Sequence, residues 1–380
     1  MDINQLRTEI DGVDRQLIEL FRQRMDISDQ IAAYKQSVGK AIHDPERERK
    51  KLVEVANMVS PELRTSAVML FSTLFELSST QQMKAMDNTT SLADQITAAI
   101  ENTPKQFPQY PIVACQGVEG AYSQIACEKL FRTPNIMYFQ NFEGVFSAIE
   151  NGLCEYGILP IENSTAGSVN RIYDLMAQHN CYVARSVRLK IDHSLLTKKG
   201  VKKEQIREIF SHEQAISQCA EFLKTMPNVT VTVVENTAVA AKMVAESSRD
   251  DVAALSSHSC ASLYGLEGLA PSVQDKGNNY TRFICISKNL EIYPGADRTS
   301  IMCVVPHRPG SLYKVLSRFF ALGINLQKLE SRPIPDRDFE YMMYFDFDTP
   351  LYSREFVQVI SELETMCEDF RYFGSYSEIV

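Results

Sequence analysis

From residue 3 to residue 36 the apolar positions Leu6, Ile10, Val13, Leu17, Leu20, Phe21, Ile27, Ile31 and Tyr34 recur mostly in steps of three and four. The stretch has no Pro, and Gly12 is its only Gly. That pattern predicts one long helix. At about 1.5 Å per residue it would be roughly 50 Å long. A segment ending near residue 88 cannot bury that length alone, so an oligomer is expected. A second helix is predicted from Pro45, with Asp44 as N-cap, and a third from about Pro61 to Met86. Polar residues Asp87 to Ser91 follow, then one short amphipathic helix over Leu92 to Ile100. Pro104, Pro108 and Pro111 interrupt regular structure. The boundaries drawn are 1–88 for a helical domain and 89–109 for a linker.

Over residues 110–290 the pattern changes. Short apolar runs at Ile112–Cys115, Ile136–Phe139, Tyr156–Leu159, Ile209–Phe210, Val229–Val234, Val252–Leu255 and Phe283–Ile286 read as strands, with helical patterns between most of them. This is α/β organisation, long enough for two lobes and a cleft. From 298 to 380 the order is strand (Thr299–Val305), helix (Gly310–Leu322), two strands (Asn325–Ser331, Glu340–Phe347), helix (Ser353–Met366) and a closing strand (Arg371–Ser375). That βαββαβ order predicts a ferredoxin-like α+β domain.

Composition narrows the function classes. The chain has 380 residues, a net charge of −9, 44% hydrophobic and 23% charged residues. These values are ordinary for a globular protein of two or three domains. The acidic balance argues against general nucleic-acid binding. No apolar run approaches the roughly 18 residues of a membrane span, and the amphipathic N-terminus is unlike a signal peptide. Nine scattered cysteines without a C-x-x-C pair suggest free thiols in a reducing cytoplasm, not a disulfide frame or a metal site.

In the helical segment Arg24 and Lys35 lie about three turns apart and share a face. Asp44, Arg47 and Glu48 stand at i, i+3 and i+4, and Ser78 and Gln82 at i and i+4. Arg7 falls near the opposite side of the first helix. Spacing alone also fits a solvated bundle. Taken in order, Leu6-Arg7, Arg24, Lys35, Asp44-x-x-Arg47-Glu48 and Ser78-x-x-x-Gln82 resemble the all-helical chorismate mutase family over residues 5–83. The resemblance implies rearrangement of chorismate to prephenate without a cofactor. Arg7, crossing from a second subunit, and Arg24 would clamp the carboxylates. Lys35 and Gln82 would donate to the ether oxygen as charge builds there. Asp44 and Glu48 would hold a substrate hydroxyl and orient Arg47, and Ser78 would bind substrate.

Four further segments sit between predicted strands and helices. Gly117 to Ser123, with Gly120, Tyr122 and Ser123, offers backbone amides at a helix start but reads equally as a tight turn. Pro160 to Ser168 holds Glu162, Asn163 and Ser164 after a bend. Ser211-His212-Glu213-Gln214 has a His that could be a mere cap. Asn278 to Phe283 puts Asn279, Thr281 and Arg282 at a strand mouth, a usual place for ligand chemistry in α/β folds. Together these blocks resemble the prephenate dehydratase family, over residues 110–288. The family fold is two-lobed, like type 2 periplasmic binding proteins. The implied reaction converts prephenate to phenylpyruvate with loss of carbon dioxide and water. Thr281 would assist departure of the hydroxyl, Arg282 would supply electrostatic support, and Gly120, Tyr122, Ser123, Glu162, Asn163, Ser164, Gln214 and Asn279 would bind and position substrate. Ring aromatisation drives the step, so no metal or cofactor is called for.

At the C-terminus, Pro309-Gly310-Ser311-Leu312-Tyr313 and Glu330-Ser331-Arg332-Pro333 resemble the ACT regulatory domains of dehydratases. The implied effector is phenylalanine, held between paired domains by Gly310, Ser311, Leu312, Tyr313 and the Glu330–Pro333 block. The expectation is therefore a bifunctional cytoplasmic enzyme, a homodimer or higher oligomer, with small-molecule substrates and neither nucleic-acid nor membrane partners. Two alternatives stand beside it: an arogenate-preferring dehydratase, and a non-catalytic small-molecule binding or regulatory protein.

Overall fold

The computed structural model describes residues 2–40, 44–86, 91–334, 337–349 and 354–380. The polar joint expected at Asp87–Thr90 lies outside them. The chain divides into two compact units, residues 1–94 and 95–380.

In the first unit α1 spans Ile3–Val38, α2 Pro45–Asn57 and α3 Arg64–Met86. Asp2 caps α1, which ends at Gly39 in the left-handed region (φ +64°). The Asp44 carboxylate accepts the Arg47 N–H at 3.1 Å and starts α2. Partners of rising number on α1 and α3 (Arg24 with Leu74, Ser28 with Ser78, Lys35 with Gln82) make these two helices run parallel. Ser28 and Ala32 are the buried residues of α1. Its apolar stripe is not covered: Leu6, Ile10, Val13, Leu17 and Leu20 are 42–60% exposed in the single chain.

The second unit begins within α4 (Ser91–Asn102), which the sequence predicts as a short helix inside the linker. Five strands then come in order: β1 (Ile112–Gln116), β2 (Asn135–Phe139), β3 (Tyr156–Asn163), β4 (Gly167–Ser168) and β5 (Tyr182–Lys190). Helices α5 (Tyr122–Leu130), α6 (Phe142–Glu150) and α7 (Asn170–Gln178) lie between them. The chain crosses to a second sheet of β6 (His193–Thr197), β7 (Glu208–Ser211), β8 (Thr230–Val233), β9 (Val252–Ser257) and β10 (Glu267–Ala270). Helices α8 (Glu213–Gln218), α9 (Ala220–Lys224), α10 (Thr237–Glu246) and α11 (Ser259–Tyr264) accompany it. It returns as β11 (Tyr280–Ser287), which lies antiparallel between β3 and β5. β3 continues past Leu159 to Asn163 through Pro160. A register shift in its pairing with β11 falls between Arg282 and Phe283. Pro lacks an N–H and is tolerated at such irregularities.

β12 (Arg298–Val304), α12 (Ser311–Ala321), β13 (Leu326–Pro333), β14 (Tyr341–Asp348), α13 (Arg354–Met366) and β15 (Asp369–Tyr376) follow in the expected βαββαβ order. Their antiparallel sheet runs β13-β14-β12-β15. The chain does not end with β15. β16 (Glu378–Ile379) joins the first sheet beside β5, giving the order β16-β5-β11-β3-β1-β2. Met302, Val304, Tyr344 and Phe373 share one apolar core with Ile172 and Ile284. Gly374 allows this docking: at φ +130° an added Cβ would lie 2.7 Å from the Val183 carbonyl oxygen. Among the described residues no helix is long and apolar enough to cross a membrane.

Candidate active sites

The helical unit gathers its candidate residues through long side chains. Arg24 bonds the Ser78 hydroxyl and donates to the Leu74 carbonyl at 2.7 Å. Lys35 Nζ donates to Gln82 Oε1 at 3.2 Å, and Gln82 Nε2 donates to Ser28 Oγ at 3.1 Å. Burial lowers the Lys35 pKa; Asp44 and Glu48 oppose that shift, and Arg47 adds to it. Those three groups therefore lie within electrostatic reach of Lys35. Arg24, also pulled down by burial, and the buried Ser78 and Gln82 complete the cluster. Ser28, four residues after Arg24 on the same helix face, is a member that the sequence reading missed. Arg7 is exposed.

The second cluster is built on strand ends. Asn163 at the end of β3 is paired with Thr281 of β11. Its Nδ2 donates to Thr281 Oγ1 at 2.9 Å and to Asn279 Oδ1 at 2.8 Å. Its Oδ1 accepts from Thr165 N, Thr165 Oγ1 and Ala166 N, so the amide is fixed at both ends. Thr281 is buried, and this is the one side-chain hydrogen bond of its hydroxyl among the described residues. A hydroxyl can accept and donate at once. Since Asn163 uses the acceptor side, the Thr281 proton stays available for a ligand.

Gln218 closes the network. Its Oε1 accepts from Asn279 Nδ2 at 2.8 Å, and its Nε2 donates to Thr165 Oγ1 at 3.0 Å. Behind it His193 Nε2 lies 3.2 Å from Gln218 Oε1. Burial lowers the His193 pKa and favours the neutral ring. A cavity of about 490 Å³ adjoins this network, lined in part by Thr165, Gln214, Gln218, Lys276 and Asn279. Gln214 is among its lining residues. Gln218, one turn further along α8 on the same face, was missed although the i, i+4 spacing was there to read. His212 is a cap: its Nδ1 accepts the Gln214 N–H at 3.2 Å.

Several expected site residues lie elsewhere. Arg282 follows Thr281 directly, and successive strand residues face opposite ways. Its guanidinium meets Asp346 of β14 at 2.5 Å and Glu162 at 3.1 Å. Burial disfavours the charge, but Asp346, Tyr376 and Glu162 outweigh it and hold the group above its ordinary pKa. The assignment of Arg282 to chemistry beside Thr281 is thereby corrected. Glu162 faces the same way and also takes Lys328 at 3.1 Å. Arg282, Glu162 and Ser164 line a separate cavity of about 270 Å³ with Arg188, Arg298 and Lys328. Ser164 clamps the turn before β11, donating to the Asn278 carbonyl and accepting the Tyr280 N–H, both at 2.9 Å. Gly120 packs on Cys260 and Leu263, and the Tyr122 hydroxyl donates to the Asp192 carbonyl at 2.7 Å. Ser123 is buried; none of these three lines the larger cavity.

The expected effector block divides by strand alternation. Lys328, Glu330 and Arg332 on one face of β13 engage Glu162, Ser168 and Asp174, the last through two 2.9 Å bonds. Leu329, Ser331 and Pro333 on the other face are exposed. Gly310 (φ +86°) opens α12, where Ser311 and Leu312 are half-buried and Tyr313 is exposed.

Comparison with known proteins matches residues 113–291 to the prephenate dehydratase family and residues 6–83 to chorismate mutase type II. An Arabidopsis thaliana protein named arogenate dehydratase/prephenate dehydratase 2 is 36% identical over 75% of this chain and 76% of its own length. A bifunctional chorismate mutase/prephenate dehydratase from Aquifex aeolicus is 28% identical over 99% of this chain and 98% of its own. The crystal structure of an Arthrobacter aurescens prephenate dehydratase in complex with L-Phe superposes with a TM-score of 0.64 at 26% identity. It covers 70% of this chain and 89% of that one.

Proposed function

Since this chain belongs to the prephenate dehydratase family and carries a type II chorismate mutase domain ahead of it, we propose the following division of labour between its two polar clusters. The chain is a bifunctional enzyme: chorismate becomes prephenate, and prephenate becomes phenylpyruvate.

In the helical unit Arg24 binds a substrate carboxylate, and Lys35 donates to the ether oxygen as its bond breaks. Gln82, whose amide is held by Lys35 and Ser28, donates its other N–H to that oxygen. Fixed donors of this kind act on charge that develops only in the transition state. A second copy of the chain covers the apolar stripe of α1 and brings Arg7 of the partner subunit to the site. The exposure of that stripe supports a homodimer.

In the second unit the electrons of the breaking carboxylate bond enter the ring as carbon dioxide leaves. The ring carbon–oxygen bond breaks, and hydroxide departs as water once it takes a proton. Thr281 lies ready to donate to that oxygen, because Asn163 occupies its acceptor side. This bond carries the reading. Asn279 and Gln218 hold the ring hydroxyl in line, with Asn163 fixing Thr281 and Asn279 behind them, and Lys276 at the cavity is a cation available to a substrate carboxylate. Residues 298–380 form an ACT-type sensor for phenylalanine. The effector meets the exposed Ser331 and Pro333 face of β13 and the Gly310–Tyr313 turn.

Turnover of chorismate, prephenate and arogenate by the purified chain tests this. Chorismate should give prephenate and then phenylpyruvate. A chain that uses arogenate faster than prephenate would replace the second half of the reading, and a chain inert on all three would overturn it.

A further inference from the structure

The strand pair that carries Thr281 and Asn163 on one face carries Arg282 and Glu162 on the other. Both ion pairs of Arg282 run through a single nitrogen, Nη2, shared between Glu162 of its own lobe and Asp346 of the C-terminal sheet. The Nε of the same guanidinium is buried without a hydrogen-bond partner among the described residues. Asp346 is held in turn: its other oxygen accepts from Ser300 Oγ at 2.6 Å, and Ser300 meets the Tyr376 hydroxyl at 2.7 Å. Beside it, Lys328 of β13 reaches Glu162 and Ser168. Glu330 meets Ser168 as well, and Glu378 of β16 takes Arg188 of β5, while Arg332, Tyr344 and Arg371 tie to α7 and its end. Asp346 and Lys328 are thus among the few groups that touch the site-bearing strands from the C-terminal domain.

We propose that the shared Arg282 guanidinium, held between Glu162 and Asp346, is the link by which the C-terminal domain sets the geometry of the Thr281–Asn163 pair. A guanidinium divided between two carboxylates has two arrangements. It can bridge both, or it can close on Glu162 alone when β14 withdraws. The second arrangement breaks the Arg282–Asp346 pair, concentrates Arg282 on Glu162 in competition with Lys328, and shifts the backbone of β3 against β11 at their register irregularity. Coupling of two sites requires such a discrete element, biased differently by each ligand. β13 supplies the input, since its linked face and its exposed face belong to the same strand.

The inference deepens the regulatory reading above and rests on it. The test uses the full chain and three forms: wild type, Asp346→Asn and Lys328→Met. Dehydratase turnover is titrated with phenylalanine, and mutase turnover is followed in parallel. The effect of phenylalanine is expressed as the ratio of turnover without and with saturating effector. In both variants that effect should shrink at least about fivefold, in the range where coupling is measurable. Turnover without effector should stay within about threefold of wild type, which also shows that the second unit has folded. If the wild type responds and both variants respond equally well, the link is wrong while the sensor stands. If the wild type ignores phenylalanine, the sensor reading falls and takes the link with it. Should Asp346→Asn fail to fold, Lys328→Met decides alone.

Discussion

The Lys35 cluster is assembled from long side chains reaching between helices, and the Thr281 cluster from short ones at the ends of strands. In the helical unit, charge does the holding. Asp44, Arg47 and Glu48 are close enough for their charges to bear on Lys35, yet the apolar stripe of α1 lies open in one chain. In the sheet unit, neutral amides and hydroxyls do it. Asn163, Asn279, Thr165 and Gln218 satisfy one another almost completely. A charged cluster tolerates loose spacing because Coulomb forces act over several ångströms. A neutral network fails when any hydrogen bond is lost, because a buried polar group is left unpaired.

The largest expected effect falls on the charged side. Lys35→Ala should lower mutase turnover by about 10²–10³ and leave the dehydratase intact, as parallel assays on chorismate and prephenate would reveal. Equal losses in both would break the separation drawn here. Next, Thr281→Val keeps the shape of the side chain and removes the hydroxyl. Dehydratase turnover should fall at least about tenfold with circular dichroism unchanged; near-normal turnover would remove Thr281 from the chemistry. Gln218→Ala should cost about five- to tenfold, the worth of one or two hydrogen bonds, while Gln214→Ala should stay within about threefold. The reverse order would return the role to Gln214.

The smallest effect is on stability. Burial holds the His193 pKa below 6.5, so the unfolded chain binds that proton more readily than the folded one. Its contribution is complete above about pH 6.5 and is lost as pH falls from there toward the lower folded value. The groups facing the ring are Tyr122, Gln218, Asp192 and His212. His193→Gln should therefore narrow the gap between thermal midpoints measured at about pH 7.5 and about pH 5.5. An unchanged gap would mean that His193 is not the titrating group.

Periodicity along the chain was enough for the helices of the first unit, since a 3.6-residue repeat puts Arg24, Ser28 and Lys35 on one face whatever they pack against. It was enough also for the βαββαβ order of residues 298–380, because short runs between turn residues mark strands well. It did not reach β5, where Arg185, Ser186 and Arg188 interrupt the apolar run, nor β16, whose two residues carry no pattern. For the second site the family blocks named Asn163, Asn279 and Thr281. They could not say that Arg282 turns away, because the partner that draws it, Asp346, lies 64 residues later. Local spacing determines which face of an element a side chain takes. What waits on that face is decided by contacts between distant segments, and these exist only once the sheets have packed.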